Sequence, residues 1–307
     1  MKKIFKKRFL ITIFAFICLS MSACGSNGSG AASKTTVNPQ DAKWTLSQYV
    51  DESGSQGMFY TLENQSTGSV VVIDGGNKGN TDQVRKVLKE KGNKVAAWFL
   101  THYHPDHVDA LNEILADPQD LLIAQIYVSP IDYERYITEA KPWDGPDSYT
   151  RFRELTKESK NIISCNRRDV YEIDGLKVKV LNTYDDTFVK ANTGDIHNNA
   201  SLVLRFETKN DSLLIMADTS NTAIAKLLED NYKSDLKSTY FQPGHHGNNT
   251  IDYSFYDLVS PKVAFFDGPE WLVDSDDYRA KPLIKHFSEK GIKCCDYRTG
   301  TNTFVME

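Results

Sequence analysis

The segment that most constrains the fold is LTHYHPDHVDAL, residues 100–111, which holds three histidines and two aspartates. It follows the apolar run KVAAWFL, which predicts a buried strand, and it leads into VDALNEILAD, which predicts a short helix. His102 and His104 are two residues apart, and in extended backbone such side chains point the same way. Both imidazoles can therefore reach one ion.

The second half of this segment predicts another site beside the first. Pro105 bends the chain, and Asp106 and His107 then begin the predicted helix and face a neighbouring point. Histidine and carboxylate ligands suit Zn²⁺, with Mn²⁺ or Fe as alternatives. The segment thus predicts a centre with two divalent ions. A simpler role for Asp106, as the cap of the helix, is the alternative.

Two further aspartates stand where apolar strands end. Asp74 ends VVVID and Asp218 ends LLIMAD. A carboxylate at the point where a strand leaves the core can bridge ions or orient a ligand, so we expect Asp218 to bridge the ions and Asp74 to hold a ligand histidine. Capping of the next helix is the alternative role of Asp218. Asp106 and Asp218 are the predicted catalytic residues.

Most of the remaining histidines also flank predicted strands. His197 lies in GDIHNNAS before a strand, and His245 and His246 lie in PGHHG after one. All three are candidate metal ligands, although a solvated surface position suits His197 nearly as well. The sequence does not decide which histidine of PGHHG binds an ion. His286, in LIKHFSE, is expected to lie on a helix face without a chemical role.

The rest of the chain alternates strands and helices. Hairpins are predicted around Asp174-Gly175 and Asn210-Asp211, and helices over NTDQVRKVLKEKG, TAIAKLLEDNY and AKPLIKHFSEKG. Residues 131–160 are polar and aromatic and predict a lid or insertion. Because strands dominate both halves with helices between them, the pattern predicts an α/β fold with two packed sheets and helices outside.

The N-terminal residues predict export. MKKIFKKR and the apolar run after it indicate a signal peptide over residues 1–23, with a membrane-spanning helix as the alternative. MSAC resembles a bacterial lipobox, which would make Cys24 a lipid anchor on the outer face of the cell membrane. A cleaved signal and free secretion is the other interpretation. Residues 24–42 predict a flexible tether and residues 43–307 one large domain.

The net charge of the chain indicates which classes of molecule it can bind. Residues 1–24 hold five of the 36 Lys and Arg and none of the 41 Asp and Glu, which leaves 31 basic and 41 acidic residues, a formal net charge of −10. Because phosphate binding needs basic patches, this balance disfavours nucleic acid and favours a small-molecule or cell-envelope substrate, with membrane contact through the lipid only. The other cysteines are too sparse for a disulfide framework.

These motifs resemble a known family. THYHPDH matches the HxHxDH signature of the metallo-beta-lactamase superfamily, and Asp74, the histidine loop, Asp218 and HHG follow in the family's order over about residues 55–307. NNASLVLRF, LLIMAD and HHG look most like the branch with the metallo-hydrolase domain of the competence DNA-uptake channel, and are similar to the teichoic acid phosphorylcholine esterase domain. The resemblance implies a four-layer αββα sandwich with the metal site at one edge between the sheets.

The chain departs from the family's pattern at two points. Ala217 stands before the bridging aspartate, where the family usually has glycine. The third histidine of the first site has no clear place in the sequence, which leaves the assignment of His197 open.

The resemblance implies a metal-dependent hydrolase. Two adjacent ions can share a hydroxide, which would be the nucleophile, and can hold the oxygens of a scissile ester. We expect a phosphoester or a related ester as the substrate, hydrolysed outside the cytoplasm. Two alternatives stay open, an iron-dependent redox enzyme on the same scaffold and a metal-binding lipoprotein without catalysis.

Overall fold

The computed structural model describes residues 41–191 and 193–307. The predicted signal peptide, Cys24 and nearly all of the predicted tether lie outside these ranges. Within them, no helix combines the length and the apolar character needed to cross a bilayer.

One large sheet carries the histidine motif. Its strands in the described residues are β1 (Trp44–Gln48), β2 (Tyr60–Asn64), β3 (Val70–Ile73), β5 (Ala97–Leu100), β7 (Ile126–Val128), β8 (Ile162–Ser164) and β16 (Asn302–Met306). They lie in the order β16-β1-β2-β3-β5-β7-β8. The strands from β3 to β8 are parallel, so the carboxyl ends of β3 and β5 meet at one edge.

The second sheet carries the other candidate ligands. Its strands in the described residues are β9 (Val170–Ile173), β10 (Leu176–Asn182), β11 (Val203–Glu207), β12 (Ser212–Ile215), β13 (Tyr240–Gln242), β14 (Val263–Phe265) and β15 (Lys293–Cys295). They lie in the order β15-β14-β13-β12-β11-β10-β9, antiparallel from β9 to β12 and parallel from β12 to β15. The short strands β4 (Lys94–Val95) and β6 (Leu122–Ile123) form a separate parallel pair.

The helices lie on the outer faces of the sheets and in the connections. Those described are α1 (Thr81–Glu90), α2 (Pro105–Ala116), α3 (Tyr133–Glu139), α4 (Pro146–Thr156), α5 (Asp186–Lys190), α6 (Ile196–Asn199), α7 (Thr222–Leu236), α8 (Tyr253–Val259), α9 (Glu270–Val273) and α10 (Ala280–Glu289). His286 lies on α10, where its ring stacks on Tyr253 and its Nε2 is 3.0 Å from Asp257 Oδ1. It thus lies on a helix face, as predicted.

The central strands of each sheet are buried on both faces. Successive side chains of β3 alternate between the two faces, with Val71 and Ile73 packing in the core between the sheets and Val70 and Val72 under the helices. The rings of Phe99 and Phe206 meet across the sheets, with their centroids 5.5 Å apart. This arrangement confirms the predicted αββα sandwich, in which every strand of the centre must be apolar on both sides.

Residues 131–160, the predicted lid or insertion, form α3 and α4 and pack against α2. The Tyr149 ring stacks on Tyr103 at a centroid distance of 3.7 Å. Asn112 Nδ2 donates to the Ser148 carbonyl at 3.0 Å, and Arg151 pairs with Glu113 at 2.6 Å. The segment is therefore attached to the helix that carries the histidine motif. We call it the α3–α4 segment.

Candidate metal centre

The candidate metal ligands, and the carboxylate expected to orient one of them, follow the carboxyl ends of strands in both sheets. Asp74 follows β3, His102 follows β5, Asp218 follows β12 and His246 follows β13. Several of these strand ends turn sharply through left-handed backbone, with φ of 52° at Asp74, 48° at Ala217 and 54° at His246. Left-handed backbone costs a non-glycine residue about 1 kcal/mol or more, which explains why glycine is usual at the position of Ala217.

Four of these side chains form what we call the second cluster, Asp106, His107, Asp218 and His246. Each offers a ligand atom, and these atoms lie within 4.8 Å of one another. His107 Nε2 is 3.3 Å from Asp218 Oδ1, and His246 Nε2 is 3.1 Å from Asp106 Oδ2 and 3.5 Å from Asp218 Oδ2. All four side chains are buried.

Three side chains form the first cluster, His102, His104 and Asp218, and their ligand atoms also lie within 4.8 Å of one another. His102 Nε2 lies 3.8 Å from Asp218 Oδ2. Asp218 therefore belongs to both clusters, with one oxygen nearest His107 and the other nearest His102 and His246. A carboxylate shared in this way is placed to bridge two ions.

The residues fit divalent ions. The Nε2 atoms of His102, His104 and His107 and both oxygens of Asp218 are buried without a hydrogen-bond partner. Buried polar atoms of this kind are costly unless something binds them. The separations of 3.1–3.8 Å between ligand atoms match the spacing of about 3.4 Å between two ligands on one tetrahedral zinc ion. His102, His104, Asp106, His107, Asp218 and His246 would hold the ions.

Facing charges control the pKa values in the second cluster. Burial alone would lower the pKa of His246, but the carboxylates of Asp218 and Asp106 raise it to about 10. Burial likewise lowers and the same carboxylates raise the pKa of His107, to well above its usual value. In the first cluster, burial and the charge of His107 hold the pKa of His102 well below its usual value. An ion that binds at the second cluster must therefore displace protons from His107 and His246, whereas an ion at the first cluster meets His102 without its extra proton.

A buried carboxylate orients His107. Asp74 Oδ2 lies 2.7 Å from His107 Nδ1, so that nitrogen carries the proton and Nε2 is left for an ion. The backbone N–H and the hydroxyl of Thr101 each donate to Asp74, both at 2.7 Å. This is the position expected for a residue that holds a ligand histidine.

Two predicted ligands lie outside both clusters. His197 Nε2 is bonded to the Tyr136 carbonyl at 2.8 Å, and its Nδ1 lies 3.5 Å from Asp144. His245 Nε2 is 3.8 Å from Asp218, but its side chain is 29% exposed, whereas that of His246 is fully buried. Of the two histidines in PGHHG, the structure brings His246 into the second cluster.

The alternative capping roles are taken by other residues. His104 occupies the N-cap position of α2 without making a side-chain capping bond, and Asp106 lies inside the first turn of that helix. The cap of α7 is Asn221, whose side chain accepts from the Ile224 N–H, so Asp218 does not cap it.

Three residues near the clusters were not predicted from the sequence. Gln56 Nε2 donates to Asp106 Oδ2 at 2.8 Å. Asp144 lies 3.4 Å from His104. Asp267 follows β14 and accepts from Tyr60 and Gln48, and burial raises its pKa to about 6. VAFFD, ending at Asp267, repeats the pattern of VVVID and LLIMAD and could have identified that residue.

A cavity of about 610 Å³ lies beside residues that neighbour the second cluster, although no residue of that cluster lines it. Its lining includes Tyr49, Ser55, Phe266, Asp267 and Trp271. Ser55 precedes Gln56, which contacts Asp106, and Phe266 packs so closely on Gly247 that a Cβ there would lie 2.6 Å from its ring. The cavity is therefore one or two residues along the chain from groups that contact the second cluster.

Comparison with known proteins identifies the family. The model of the metallo-beta-lactamase superfamily matches residues 54–253. The chain belongs to the metallo-beta-lactamase superfamily. The match confirms, at the level of the superfamily, the prediction of a metallo-hydrolase. The narrower resemblance to the competence-channel branch stays a prediction.

Individual relatives are distant. RNase aCSPSF2 of Saccharolobus solfataricus is 25% identical over 254 residues, 79% of this chain and 48% of that protein, so the chain spans about half the length of this curated relative. Igni18, a metallo hydrolase from Ignicoccus hospitalis, is 17% identical with a TM-score of 0.50, covering 86% of this chain and 99% of its own. CmlA, a diiron beta-hydroxylase from Streptomyces venezuelae, is 11% identical with a TM-score of 0.56, and the match covers 85% of this chain and 54% of CmlA. The two structural likenesses show the fold alone.

The relative from Saccharolobus solfataricus corrects one prediction. The acidic balance of the chain led us to disfavour nucleic acid as a partner, and this exclusion is wrong because the relative is an RNase. Net charge describes the average surface, whereas a metal centre can supply positive charge locally where a phosphate binds. Overall charge therefore does not decide the substrate of a metal-dependent enzyme.

Proposed function

We propose that the chain is a metal-dependent hydrolase of phosphoesters. The observation that carries the proposal is the pair of adjoining clusters that share Asp218. Two divalent ions bound there would lower the pKa of a water toward 7 and draw charge from the ester oxygens. The protein's own part is to hold the ligand atoms in place and to exclude bulk water from them.

The surrounding residues divide this work. Asp74 fixes the ring of His107, and Gln56 fixes one oxygen of Asp106. Asp218 sets a negative charge between the clusters. The cavity beside the second cluster would receive the body of the ester, and the rings of Tyr49, Phe266 and Trp271 favour an apolar or aromatic group there.

RNA is a second candidate substrate. It is suggested by the relative named as an RNase, which is 25% identical to this chain. Hydrolysis of a phosphodiester bond in RNA requires the same chemistry as hydrolysis of a small phosphoester. The assay below therefore includes both.

The test is hydrolysis by the full chain purified in detergent, stripped of metal and reloaded separately with Zn²⁺, Mn²⁺ or Fe²⁺. Bis(p-nitrophenyl) phosphate, p-nitrophenyl phosphate and a labelled single-stranded RNA serve as substrates. We expect metal-dependent hydrolysis of at least one of them, and unchanged rates for His286→Ala, a histidine remote from the clusters. A chain that binds two ions and hydrolyses none of these substrates would contradict the proposal, and oxygen consumption by the iron form would favour the redox alternative.

We also propose that Cys24 carries a lipid that anchors the chain on the outer face of the cell membrane. The support is MKKIFKKR, the apolar run and MSAC. Cys24→Ala should release the chain from membranes or leave its signal uncleaved, measured by fractionation and by the mass of the product. A variant that is both processed and membrane-bound would disprove the anchor.

A further inference from the structure

The α3–α4 segment brings a carboxylate to the first cluster. Asp144, between α3 and α4, is only 2% exposed although it lies in a loop rich in polar residues. Its Oδ1 lies 3.4 Å from His104 Nε2, and its Oδ2 lies 3.5 Å from His197 Nδ1. A buried carboxylate within reach of a candidate ligand histidine needs a positive partner.

The backbone holds Asp144 at this place. Its Oδ2 accepts the Lys141 N–H at 2.6 Å, and its own N–H donates to the Lys141 carbonyl at 2.9 Å, which closes a tight turn. The next residue, Gly145, has a φ of 54°, and a Cβ there would lie 2.5 Å from Pro105 Cγ. This contact between Gly145 and Pro105 brings the turn directly against the histidine motif.

His197 supports Asp144 rather than joining the cluster. The rings of His104 and His197 are nearly parallel, with an interplanar angle of 6° and centroids 6.2 Å apart, and Asp144 reaches both. The far nitrogen of His197 is bonded to the Tyr136 carbonyl on α3. His197 is thereby oriented with Nδ1 toward the carboxylate.

The first cluster lacks what Asp144 could supply. It has three protein groups, against four in the second cluster. His104 Nε2 has no hydrogen-bond partner although it is buried. The separation of 3.4 Å between that nitrogen and Asp144 Oδ1 equals the spacing of about 3.4 Å expected for two ligands of one zinc ion.

We propose that Asp144 is the carboxylate ligand that completes the site formed by His102 and His104, with His197 as its positioning residue. This rests on the two-ion centre of the proposed function. Asp144 lies at the margin of the first cluster, on the side of His104, so it would bind the ion from that side. The α3–α4 segment would then be a part of the metal site.

The test compares two variants of Asp144 in the full chain. Asp144→Asn keeps the volume and an oxygen for the Lys141 N–H but removes the charge, whereas Asp144→Glu keeps the charge and disturbs the turn. Titration of metal-stripped chain with Zn²⁺, followed by calorimetry, should show one site weakened at least about tenfold in Asp144→Asn, with the other unchanged. Asp144→Glu should retain more affinity than Asp144→Asn.

Asp132→Asn is the matched control, because Asp132 caps α3 in the same segment and bonds the Arg135 N–H. Two wild-type sites in Asp144→Asn would overturn the proposal. So would a greater loss in Asp144→Glu than in Asp144→Asn, because a purely structural turn is disturbed by Glu and kept by Asn. A wild-type chain that binds no ion would instead refute the proposed function itself, so the two failures are distinguishable.

Discussion

The two clusters that share Asp218 are assembled in different ways. The second cluster draws all four of its groups from the loops after β5, β12 and β13, together with the first turn of α2. The first cluster has three such groups and lies against the α3–α4 segment, which is fixed by side-chain contacts to α2 and to Tyr103 before it. The second cluster is thus made by the sandwich alone, whereas under the proposal above a segment added to the sandwich completes the first.

This difference indicates which half of the metal centre can change while the core of the sandwich stays intact. The groups of the second cluster follow buried strands, so a change in the core would displace them. The surroundings of the first cluster can change with the α3–α4 segment while the sandwich stays intact. The predictions below separate the two halves experimentally.

Asp218→Asn should have the largest effect, because it removes the one charge that both clusters share. We expect the affinity for both ions to fall by about a hundredfold or more, with hydrolysis lost and the circular dichroism of the fold retained. Titration with Zn²⁺ measures both sites in one experiment. Retention of two tight sites would mean that Asp218 does not bridge them.

The neighbouring histidines of PGHHG offer a matched pair that affects the second cluster alone. His246→Ala removes a buried ligand, so the site formed with Asp106 and His107 should weaken by roughly ten- to a hundredfold while the other site stays. His245→Ala removes a partly exposed ring, and affinity should change by no more than about twofold. Metal content after dialysis checks both, and a larger loss in His245→Ala would reverse the assignment.

The pH dependence of metal affinity should also differ between the two clusters. His107 and His246 have raised pKa values, so they are protonated at pH 7–8 and an ion must displace their protons. Each displaced proton changes affinity by about tenfold per pH unit, so affinity at the second cluster should rise by up to about a hundredfold between pH 7 and pH 8. The first cluster, where the pKa of His102 is lowered, should change little. Calorimetry in buffers of different ionisation enthalpy counts the protons released.

The same pKa values bear on the stability of the metal-free chain. A histidine whose pKa is raised by folding stabilises the fold fully below its unfolded pKa of about 6.5, and the contribution is lost as the pH rises through the folded value. For His246 the folded value is about 10. Denaturation of metal-free chain should thus become easier between pH 7 and pH 10, and less so in His246→Ala. Equal pH profiles would contradict the ion pairs at that residue.

The sequence predicts the groups of both clusters better than it predicts Asp144, for a physical reason. His102, His104, Asp106 and His107 lie in one short motif, and Asp218 and the pair in PGHHG follow apolar strands, so local patterns identify them, apart from the choice between His245 and His246. The place of Asp144 depends on contacts between distant parts of the chain, such as Tyr149 on Tyr103 and Gly145 on Pro105. No periodicity encodes such contacts, and the polar loop around His197 gave no sign that its ring would turn toward Tyr136.

The fold, too, has parts that local sequence patterns predict and parts that depend on contacts between distant residues. The hairpin β9–β10 and the buried strands β3 and β5 follow from alternation and apolar runs in the sequence. The pairing of β16 with β1 joins the two ends of the described chain, with Trp44 opposite Met306. Because this pairing spans most of the domain, it follows from the closure of the sheet and not from any local signal.

The left-handed strand ends have a consequence for when the protein acquires its ions. The turn at Ala217 is held by bonds within the protein, since its N–H donates to Gln242 Oε1 at 2.7 Å and its carbonyl accepts the His245 N–H at 2.8 Å. These bonds give the turn its shape without a metal ligand. We therefore expect folding and metal loading to be separable events. A chain that crosses a membrane unfolded can take up its ions at its destination, and the supply of metals in that compartment would then decide which ion it carries.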